Sequence, residues 1–377
     1  MKDATLQTSP SISARSVAVL IGVGLACIVS SRVALTVPLV LAALCYPLMG
    51  ERRLCWARFV DATRSSYGVI VIIIIVAWLP NVLVSLAPMK SLESALRSGL
   101  FIGLATLLWS AIAHEERLYF LTLRSFVGAL AILLGAALFG HFVLPEVYAL
   151  IRGMGWTVVN TKGLLKGTAS AAALFIPVLL FVSVLFTRWW RAVALLLVIG
   201  CVVLVWSTGS RSALAGLIAG ILASMFFYVL FRVRRSALLP CIAIFLGLTA
   251  GVVFGLSKTL PVNLPSQNKH VNVEELPLPL SLVDWHRQTI WQYVWSEGAD
   301  HRLFGSGVNA IDKLPASHKK IGASNTYFVP LHPHNWIVEI SVETGIVGVS
   351  ALIFGILFFV YKQARRFRAN GDAAIWP

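Results

Sequence analysis

The sequence of residues 331–361 is LHPHNWIVEISVETGIVGVSALIFGILFFVY, and within it the chain passes from a polar segment into a long apolar run. A helix needs roughly 20 mostly apolar residues to cross a bilayer, so residues 335–361 predict a membrane span. Gly345 and Gly348 interrupt this run and predict a broken helix. His334 lies where the polar segment meets the apolar run, and imidazole is the side chain best suited to exchange protons near neutral pH.

The composition of the whole chain predicts a polytopic membrane protein. Of 377 residues, 58% are hydrophobic and 12% are charged, with a mean hydropathy of +0.82. Soluble domains are roughly 45–50% apolar and about 25% charged. The apolar runs predict an all-α membrane bundle of about 10–12 transmembrane helices. The candidate spans are residues 16–31, 33–49, 67–87, 97–113, 121–142, 169–187, 191–206, 212–231, 236–257 and 335–361.

The net charge of +15 reflects short basic clusters between the apolar runs. If the spans alternate from a cytoplasmic amino terminus, all these clusters fall on one side, as the positive-inside rule requires, and both termini are cytoplasmic. This pattern argues against nucleic-acid binding. The five cysteines form no CxxC pair and suggest neither a disulfide framework nor a zinc site. The clusters are Arg52, Arg53, Arg58 and Arg64; Arg117 and Arg124; Arg188 and Arg191; Arg232, Arg234 and Arg235; and Lys362, Arg365, Arg366 and Arg368.

Three segments are predicted along the chain. Two polar stretches, 143–168 and 258–334, fall on the outer side, opposite the basic clusters. The second is far longer than an ordinary connection, and loops of that size are usually functional. The segments are a transmembrane bundle at 1–257, a periplasmic loop region with an amphipathic helix at 258–334, and the C-terminal transmembrane helices with a basic cytoplasmic tail at 335–377.

Two arginines are candidates for binding an anion on the outer side. Arg211 follows Ser207-Thr208-Gly209-Ser210, where hydroxyls and a glycine break the helix and leave backbone N–H groups free. Such a turn with an arginine suits phosphate oxygens, and a side chain snorkelling to lipid headgroups is the alternative. Arg287 lies in a predicted interfacial helix from about 282 to 297, where it could instead pair with Asp284 at helical spacing.

Polar side chains around His334 suggest a cavity. Asn335 is a candidate N-cap, and Asn335, Glu339 and Glu343 recur every four residues and so share one helix face. Carboxylates in an apolar helix usually face a cavity rather than lipid. They could orient His334, pair with an arginine, or lie in a solvated vestibule. His332 is interpreted as a spectator, and no third ligand at a recognised spacing supports a metal site.

These residues resemble the O-antigen ligase and polymerase superfamily of bacterial membrane glycosyltransferases, over most of the chain. His334-Asn335, followed after nine residues by Gly345-x-x-Gly348, matches the ligase signature at every fixed position. Arg211 after its Ser/Gly turn, and Arg287 before Ile290-Trp291, match the two functional arginines of the family.

A glycine turn of the family is also matched, by Leu303-Phe304-Gly305-Ser306-Gly307, with Arg302 at a position where proline is common. The spacing of Arg287, ten residues and Gly298 is in addition similar to the loops of O-antigen polymerases.

The resemblance implies a fold like that of the C-type glycosyltransferases and an inverting, metal-independent transfer without a cofactor. O-antigen polysaccharide would pass from undecaprenyl diphosphate to lipid A–core oligosaccharide at the periplasmic face of a Gram-negative inner membrane. His334 would be the general base, and Arg211 and Arg287 would bind the donor diphosphate. Lys319 and Lys320 could hold the phosphorylated core of the acceptor. The expected partners are these two substrates and membrane lipids, with no nucleic acid.

Other readings remain open at this point. An O-antigen polymerase and a protein O-oligosaccharyltransferase belong to the same superfamily. A lipid-linked sugar transporter is an alternative of a different class, which should carry its charged residues near the middle of the membrane.

Overall fold

The computed structural model describes residues 10–113, 115–151, 153–157, 160–210, 212–218, 220–222, 285–315, 317–320, 327–329 and 332–370. These residues form α-helices joined by turns, and the one β pairing among them is an isolated bridge between Lys320 and Tyr327. The predicted all-α membrane class is therefore confirmed. The helices are α1 Ile12–Cys27, α2 Arg32–Cys45, α3 Arg52–Arg64, α4 Ser66–Val84, α5 Pro88–Ile112, α6 Glu116–Phe142, α7 Pro145–Ile151, α8 Thr161–Leu164, α9 Lys166–Leu185, α10 Arg188–Ser207, α11 Ser212–Leu222, α12 Trp285–Glu297 and α13 Trp336–Asn370.

Six helices in the described part of the chain are long and apolar enough to cross a membrane. They become seven if the bent pair Val33–Leu48 and Arg52–Arg64 forms one broken span. The predicted span at 236–257 lies outside the described residues, so the predicted total stays a prediction. The six are Ser66–Val84, Pro88–Ile112, Glu116–Phe142, Lys166–Leu185, Arg188–Ser207 and Trp336–Gln363.

The chain divides into two compact units rather than into consecutive segments. Unit 1 contains Met1–Asp61 and Leu104–Tyr228, and unit 2 contains Ala62–Gly103 and Val229–Pro377. Each unit has its own buried core. The three segments predicted from the sequence stay a prediction about the arrangement in the membrane.

Unit 1 is held together by close helix packing. Helix α6 packs against α1 and α10, and α9 packs against α10. A Cβ atom at Gly22 of α1 would lie 2.8 Å from the backbone nitrogen of Phe126, so glycine allows the two backbones to approach. At one end of the unit, the hydroxyl of Thr168 donates to the carbonyl of Val29 over 2.9 Å and lies 3.0 Å from the hydroxyl of Tyr148.

Two helix starts that carry arginines lie at the same end of unit 1. The rings of Phe120 and Phe186 are 6.1 Å apart, so the basic starts of α6 and α10 lie at the same end. The turn 207–210 ends α10, and a helix of 20 residues is about 30 Å long, so this turn lies at the other end. Arg211, which follows the turn, lies outside the described residues.

Unit 2 is organised around the antiparallel pair of α4 and α13. Near the start of α4, the ring of Tyr67 lies 6.2 Å from that of Phe358, in an edge contact. Further along, the indole N–H of Trp78 donates to the carbonyl of Gly348 over 3.4 Å. This pairing places Arg64, just before α4, at the same end of unit 2 as Lys362 and Arg365 near the end of α13.

Helix α13 is broken at Gly345, as the sequence predicted. Gly345 has φ 64° and ψ −170°, which is not a helical conformation. The break divides α13 into a short half-helix, residues 336–344, and a long half-helix, residues 346–370. A Cβ atom at Gly345 would lie 2.5 Å from the nitrogen of Gly305 and from the oxygen of Leu303, so only glycine fits here.

The glycine turn 303–307 pairs with the backbone groups that the break exposes, and this confirms the predicted turn. Arg302 has φ −59°, close to the roughly −65° that proline fixes, so this backbone conformation suits either residue. The hydrogen bonds run from the N–H of Ser306 to the carbonyl of Val342 over 2.8 Å, from Gly307 to Glu343 over 3.1 Å, from Ile346 to Arg302 over 2.8 Å, and from Val347 to Leu303 over 3.2 Å.

Asn81 joins α4 to both sides of this junction, and sequence reasoning missed it. Its carboxamide N–H donates to the carbonyl of Phe304 over 2.6 Å and to the carbonyl of Glu343. Its carboxamide oxygen accepts the N–H of Val308 over 2.9 Å. Asn81 is only 1% exposed. A lone asparagine near the end of an apolar span was the available signal, because a polar group there needs partners within the protein.

We expect Gly345→Ala to destabilise the protein strongly. Alanine would take up a backbone conformation that costs about 1–3 kcal/mol for a residue with a Cβ, and its methyl group would overlap the turn 303–307. Thermal unfolding in detergent measures the effect. Gly99→Ala in α5 is the matched control, since nothing lies within 4 Å of a Cβ there. Equal unfolding temperatures of the two variants would contradict the role of the break.

Asn81→Ala should lower the free energy of unfolding by about 2–4 kcal/mol, because each buried polar group left unpaired costs roughly 1–3 kcal/mol. Asn81→Asp should lower the free energy of unfolding by a similar amount, since a carboxylate cannot donate to the carbonyls of Phe304 and Glu343. The control is Leu83→Ala on the same helix, where the side chain is 87% exposed. If Asn81→Ala unfolds at the same temperature as Leu83→Ala, the three hydrogen bonds do not stabilise the junction.

Candidate active site

The candidate site lies at the start of the short half-helix, where Asn335 is the N-cap. The side-chain oxygen of Asn335 accepts the N–H of Ile337 over 3.1 Å and that of Val338 over 3.4 Å. The N-cap predicted from the sequence is confirmed. The positive end of the helix dipole at this first turn gives the region around His334 a positive electrostatic potential.

His334 has a left-handed backbone and an exposed side chain. Its φ is 57°, an uncommon value for a residue other than glycine. Its backbone N–H donates to Nδ1 of His332 over 3.3 Å, and the two rings meet edge to face with centroids 4.3 Å apart. The interpretation of His332 as a spectator did not anticipate this contact.

Trp291 connects the helix that carries Arg287 to the loop that carries His334. The indole N–H of Trp291 donates to the carbonyl of Pro333 over 2.7 Å. Arg287, which is exposed, lies four residues before Trp291 in α12. Residues at this spacing share a helix face, with Cβ atoms about 5–6 Å apart. Unit 2 therefore brings the helix face of Arg287 next to the loop of His334. Asp284, the alternative partner of Arg287, lies outside the described residues.

A small apolar core holds α12 in this position. Ile290 and Val294 of α12 are fully buried and pack with Val338 and Val342 of the short half-helix. Trp295, predicted to share a face with Trp291, is 43% exposed. The apolar contacts therefore align α12 with the short half-helix. The hydrogen bond from Trp291 fixes the position of α12 along its axis relative to the His334 loop.

The two carboxylates of the short half-helix have different surroundings. Glu343 is only 7% exposed, and its carboxylate interacts with the backbone N–H groups of Asn309 and Ala310 and with the charge of Lys90. It therefore supports the loop beside the break. Glu339 is half-buried and interacts electrostatically with His332, so it belongs to the surroundings of the His334 loop.

Lys319 and Lys320 lie in a short exposed segment that pairs with residues 327–329 beside α12. The N–H of Phe328 donates to the carbonyl of Lys319 over 3.0 Å, and Lys320 pairs with Tyr327 in the isolated bridge. The ring of Phe328 lies 4.7 Å from the ring of Tyr293 in α12. The two lysine side chains are exposed, as residues that bind an acidic ligand must be.

Residues 195–353 match the O-antigen ligase family. The matched segment makes up less than half of the chain. The match begins within α10, ends within α13, and includes Arg287, the turn 303–307 and His334. It confirms the resemblance to the superfamily of O-antigen ligases and polymerases, whose members are glycosyltransferase-like enzymes.

A more distant relative is the teichuronic acid biosynthesis protein TuaE of Bacillus subtilis (strain 168). The two sequences are 26% identical over 191 residues. The alignment covers 49% of this chain and 37% of the relative, so the chain spans well under half of the length of that protein.

The matched segment also contains a groove between the end of α12 and the break in α13. Its volume is ≈ 370 Å³. Apolar side chains form most of its wall, and the exposed Arg302 contributes a positive charge. The lining residues are Trp295, Gly298, Ala299, Arg302, Ser341, Val342, Gly345, Ile346, Val349 and Ser350.

The described residues of the matched segment contain no group of three or more His, Cys, Asp or Glu side chains placed to hold a metal ion. Arg211 also belongs to the matched segment, and its predicted role stays a prediction because its position is not described.

An ion pair fixes the loop that follows the glycine turn. Nζ of Lys90 lies 2.8 Å from Oδ1 of Asp312, and Nζ of Lys313 lies 3.5 Å from Oδ2. Partial burial by itself would raise the pKa of Asp312, but the hydrogen bond and charge of Lys90, with the charge of Lys313, lower it overall. The carboxylate is therefore more stable in the folded protein than in the unfolded chain.

Asp312→Asn should reduce the stability of the protein at neutral pH by about 0.5–1 kcal/mol. The lowered pKa of Asp312 means that its contribution is present above the unfolded-state value of about 3.9 and is lost as the pH falls through the folded-state value. Unfolding temperatures of both proteins between pH 3 and 8 measure this. Asp300→Asn, at an exposed position, is the control. A difference between Asp312→Asn and wild type that persists unchanged at the lowest pH would contradict the ion pair.

Proposed function

We propose that this protein is an O-antigen ligase of the Gram-negative inner membrane. It transfers O-antigen polysaccharide from undecaprenyl diphosphate to lipid A–core oligosaccharide on the periplasmic side, with both termini in the cytoplasm. The observation that carries the proposal is the position of His334. It stands exposed at the capped start of the short half-helix, and Trp291 joins its loop to the helix of Arg287.

His334 acts as the general base in this proposal. A neutral imidazole takes the proton of the acceptor hydroxyl while the hydroxyl oxygen attacks the anomeric carbon from the face opposite the diphosphate. The new glycosidic bond forms as the bond from the anomeric carbon to the phosphate oxygen breaks, so the configuration inverts. The helix end beside His334 favours the neutral imidazole, because its potential is positive. General-base assistance contributes roughly 10²–10⁴ in rate.

Arg287 and Arg211 stabilise the leaving group in this proposal. Undecaprenyl diphosphate gains negative charge as the sugar departs, and a guanidinium can donate two parallel hydrogen bonds to phosphate oxygens. The exposed position of Arg287 beside the His334 loop supports its part in this step. A preorganised positive group at such a position contributes about 3–4 kcal/mol to lowering the barrier.

The groove beside the break suits the lipid part of the donor. Its apolar wall can contact an isoprenoid chain, and Arg302 adds positive charge for a lipid-borne phosphate. For the acceptor, the exposed Lys319 and Lys320 suit the phosphate groups of the core oligosaccharide. Both assignments agree with a reaction between two lipid-linked substrates.

A second candidate is the polymerase activity of the same superfamily. Two observations favour it. Helix α12 carries Arg287 and ends just before the buried Gly298, so this helix accounts for the arginine-to-glycine spacing that is similar to polymerase loops. The relative from Bacillus subtilis is named for teichuronic acid biosynthesis and not for ligation. A protein O-oligosaccharyltransferase would use the same donor with a protein acceptor. The exposed positions of Arg287 and His334 give less support to a lipid-linked sugar transporter.

Reconstitution in proteoliposomes with lipid-linked O-antigen and lipid A–core tests the proposal. We expect the wild type to modify lipid A–core with or without a chelator. His334→Ala should lose about 10²–10⁴ in rate, and Arg287→Ala about 10²–10³ in kcat. His318→Ala, at an exposed position in the same region, is the matched control and should remain active.

Each alternative predicts a different product in this assay. Longer lipid-linked chains without modified core identify a polymerase. Transfer only to a pilin-like protein acceptor identifies a protein O-oligosaccharyltransferase, and movement of the donor across the vesicle membrane that persists in His334→Ala identifies a transporter. Full activity of His334→Ala in ligation refutes the base, and inhibition by the chelator refutes a metal-independent reaction.

A further inference from the structure

The backbone of His334 is held in a conformation that its own sequence does not favour. A residue with a Cβ reaches φ 57° only where the surrounding structure compensates for the strain. The compensation here comes from both sides of His334. Asn335 caps the helix that follows it, and His332 accepts its backbone N–H over 3.3 Å.

The hydrogen bond to His332 also determines the state of that imidazole. Nδ1 of His332 accepts a proton from a backbone amide, so the ring proton of a neutral His332 is on Nε2. The two rings are also in edge-to-face contact, so the orientation of the His334 imidazole depends on that of His332.

A further contact fixes the residue between the two histidines. Pro333 is buried, its ring restricts its own φ, and its carbonyl accepts the indole N–H of Trp291 over 2.7 Å. His332 is therefore attached to an anchored segment, and its Nδ1 can act as a fixed acceptor for the N–H of His334.

We propose that His332 is a positioning residue for the base: by accepting the backbone N–H of His334 through Nδ1, it keeps His334 in the left-handed conformation that directs the imidazole at the acceptor hydroxyl. This inference rests on the proposed role of His334 as general base. His332 itself takes no proton from the substrate. Its effect is on the fraction of time for which His334 is correctly oriented, and it should therefore appear in kcat more than in the KM for either substrate.

Three substitutions of His332 distinguish the effect of its hydrogen bond from the effect of its aromatic ring. In His332→Asn, the side-chain oxygen occupies nearly the position of Nδ1 and can accept the same N–H, while the ring is lost. His332→Phe keeps an aromatic ring and loses the acceptor, and His332→Ala loses both. His332 is exposed, so none of these changes disturbs a buried core, and thermal unfolding of each variant verifies this.

We expect His332→Phe and His332→Ala to lose about 10- to 100-fold in kcat in the ligation assay. His332→Asn should stay within about threefold of wild type. The rise of the rate with pH, which reports the ionisation of the base, should be the same in His332→Asn as in wild type.

Other results overturn the inference. If His332→Asn is as slow as His332→Ala, or loses the rise of the rate with pH, the imidazole itself takes part in the chemistry. If all three variants keep wild-type kcat, His332 is a spectator. Neither result affects the proposed function as long as His334→Ala is inactive. An active His334→Ala, in contrast, refutes the proposed base and this inference together.

Discussion

The carboxamide of Asn81 is the interaction on which unit 2 depends. It bonds one carbonyl of the glycine turn, one carbonyl of the broken helix and one amide of the following loop, at a position that is almost fully buried. An apolar side chain in its place would remove the Asn81 hydrogen bonds of the Phe304 carbonyl and the Val308 N–H, while the Glu343 carbonyl would keep only the N–H of Gly307. α4, the turn 303–307 and the short half-helix therefore form one structural element.

The break that Asn81 stabilises gives the candidate site its location. Because α13 stops being helical at Gly345, its first nine residues form a separate half-helix that packs against α12. This arrangement brings together three features: a capped helix N-terminus, an exposed imidazole, and a neighbouring helix that carries an arginine. The same break opens the groove lined by Trp295, Arg302 and Ile346.

Much of the fold could be predicted because it depends on local properties of the sequence. Long apolar runs indicate spans, glycines at 345 and 348 indicate a weak point in a helix, and Asn335 before an apolar run indicates an N-cap. The contacts that organise the site join distant residues instead. Trp291 and Pro333 are 42 positions apart, Lys90 and Asp312 are 222 apart, and Asn81 and Glu343 are 262 apart. No local pattern contains that information.

The sequence by itself determined the membrane class, the approximate positions of the six described membrane spans, the broken final helix and the choice of His334 and Arg287 as candidates, because composition, periodicity and motif spacing depend on neighbouring residues. Tertiary structure alone decided that His332 contacts His334, that Glu343 supports a loop, and that Trp291 joins the two candidates. The physical reason is that a buried polar group bonds the nearest partner in space, and the packing of helices distant in sequence chooses that partner.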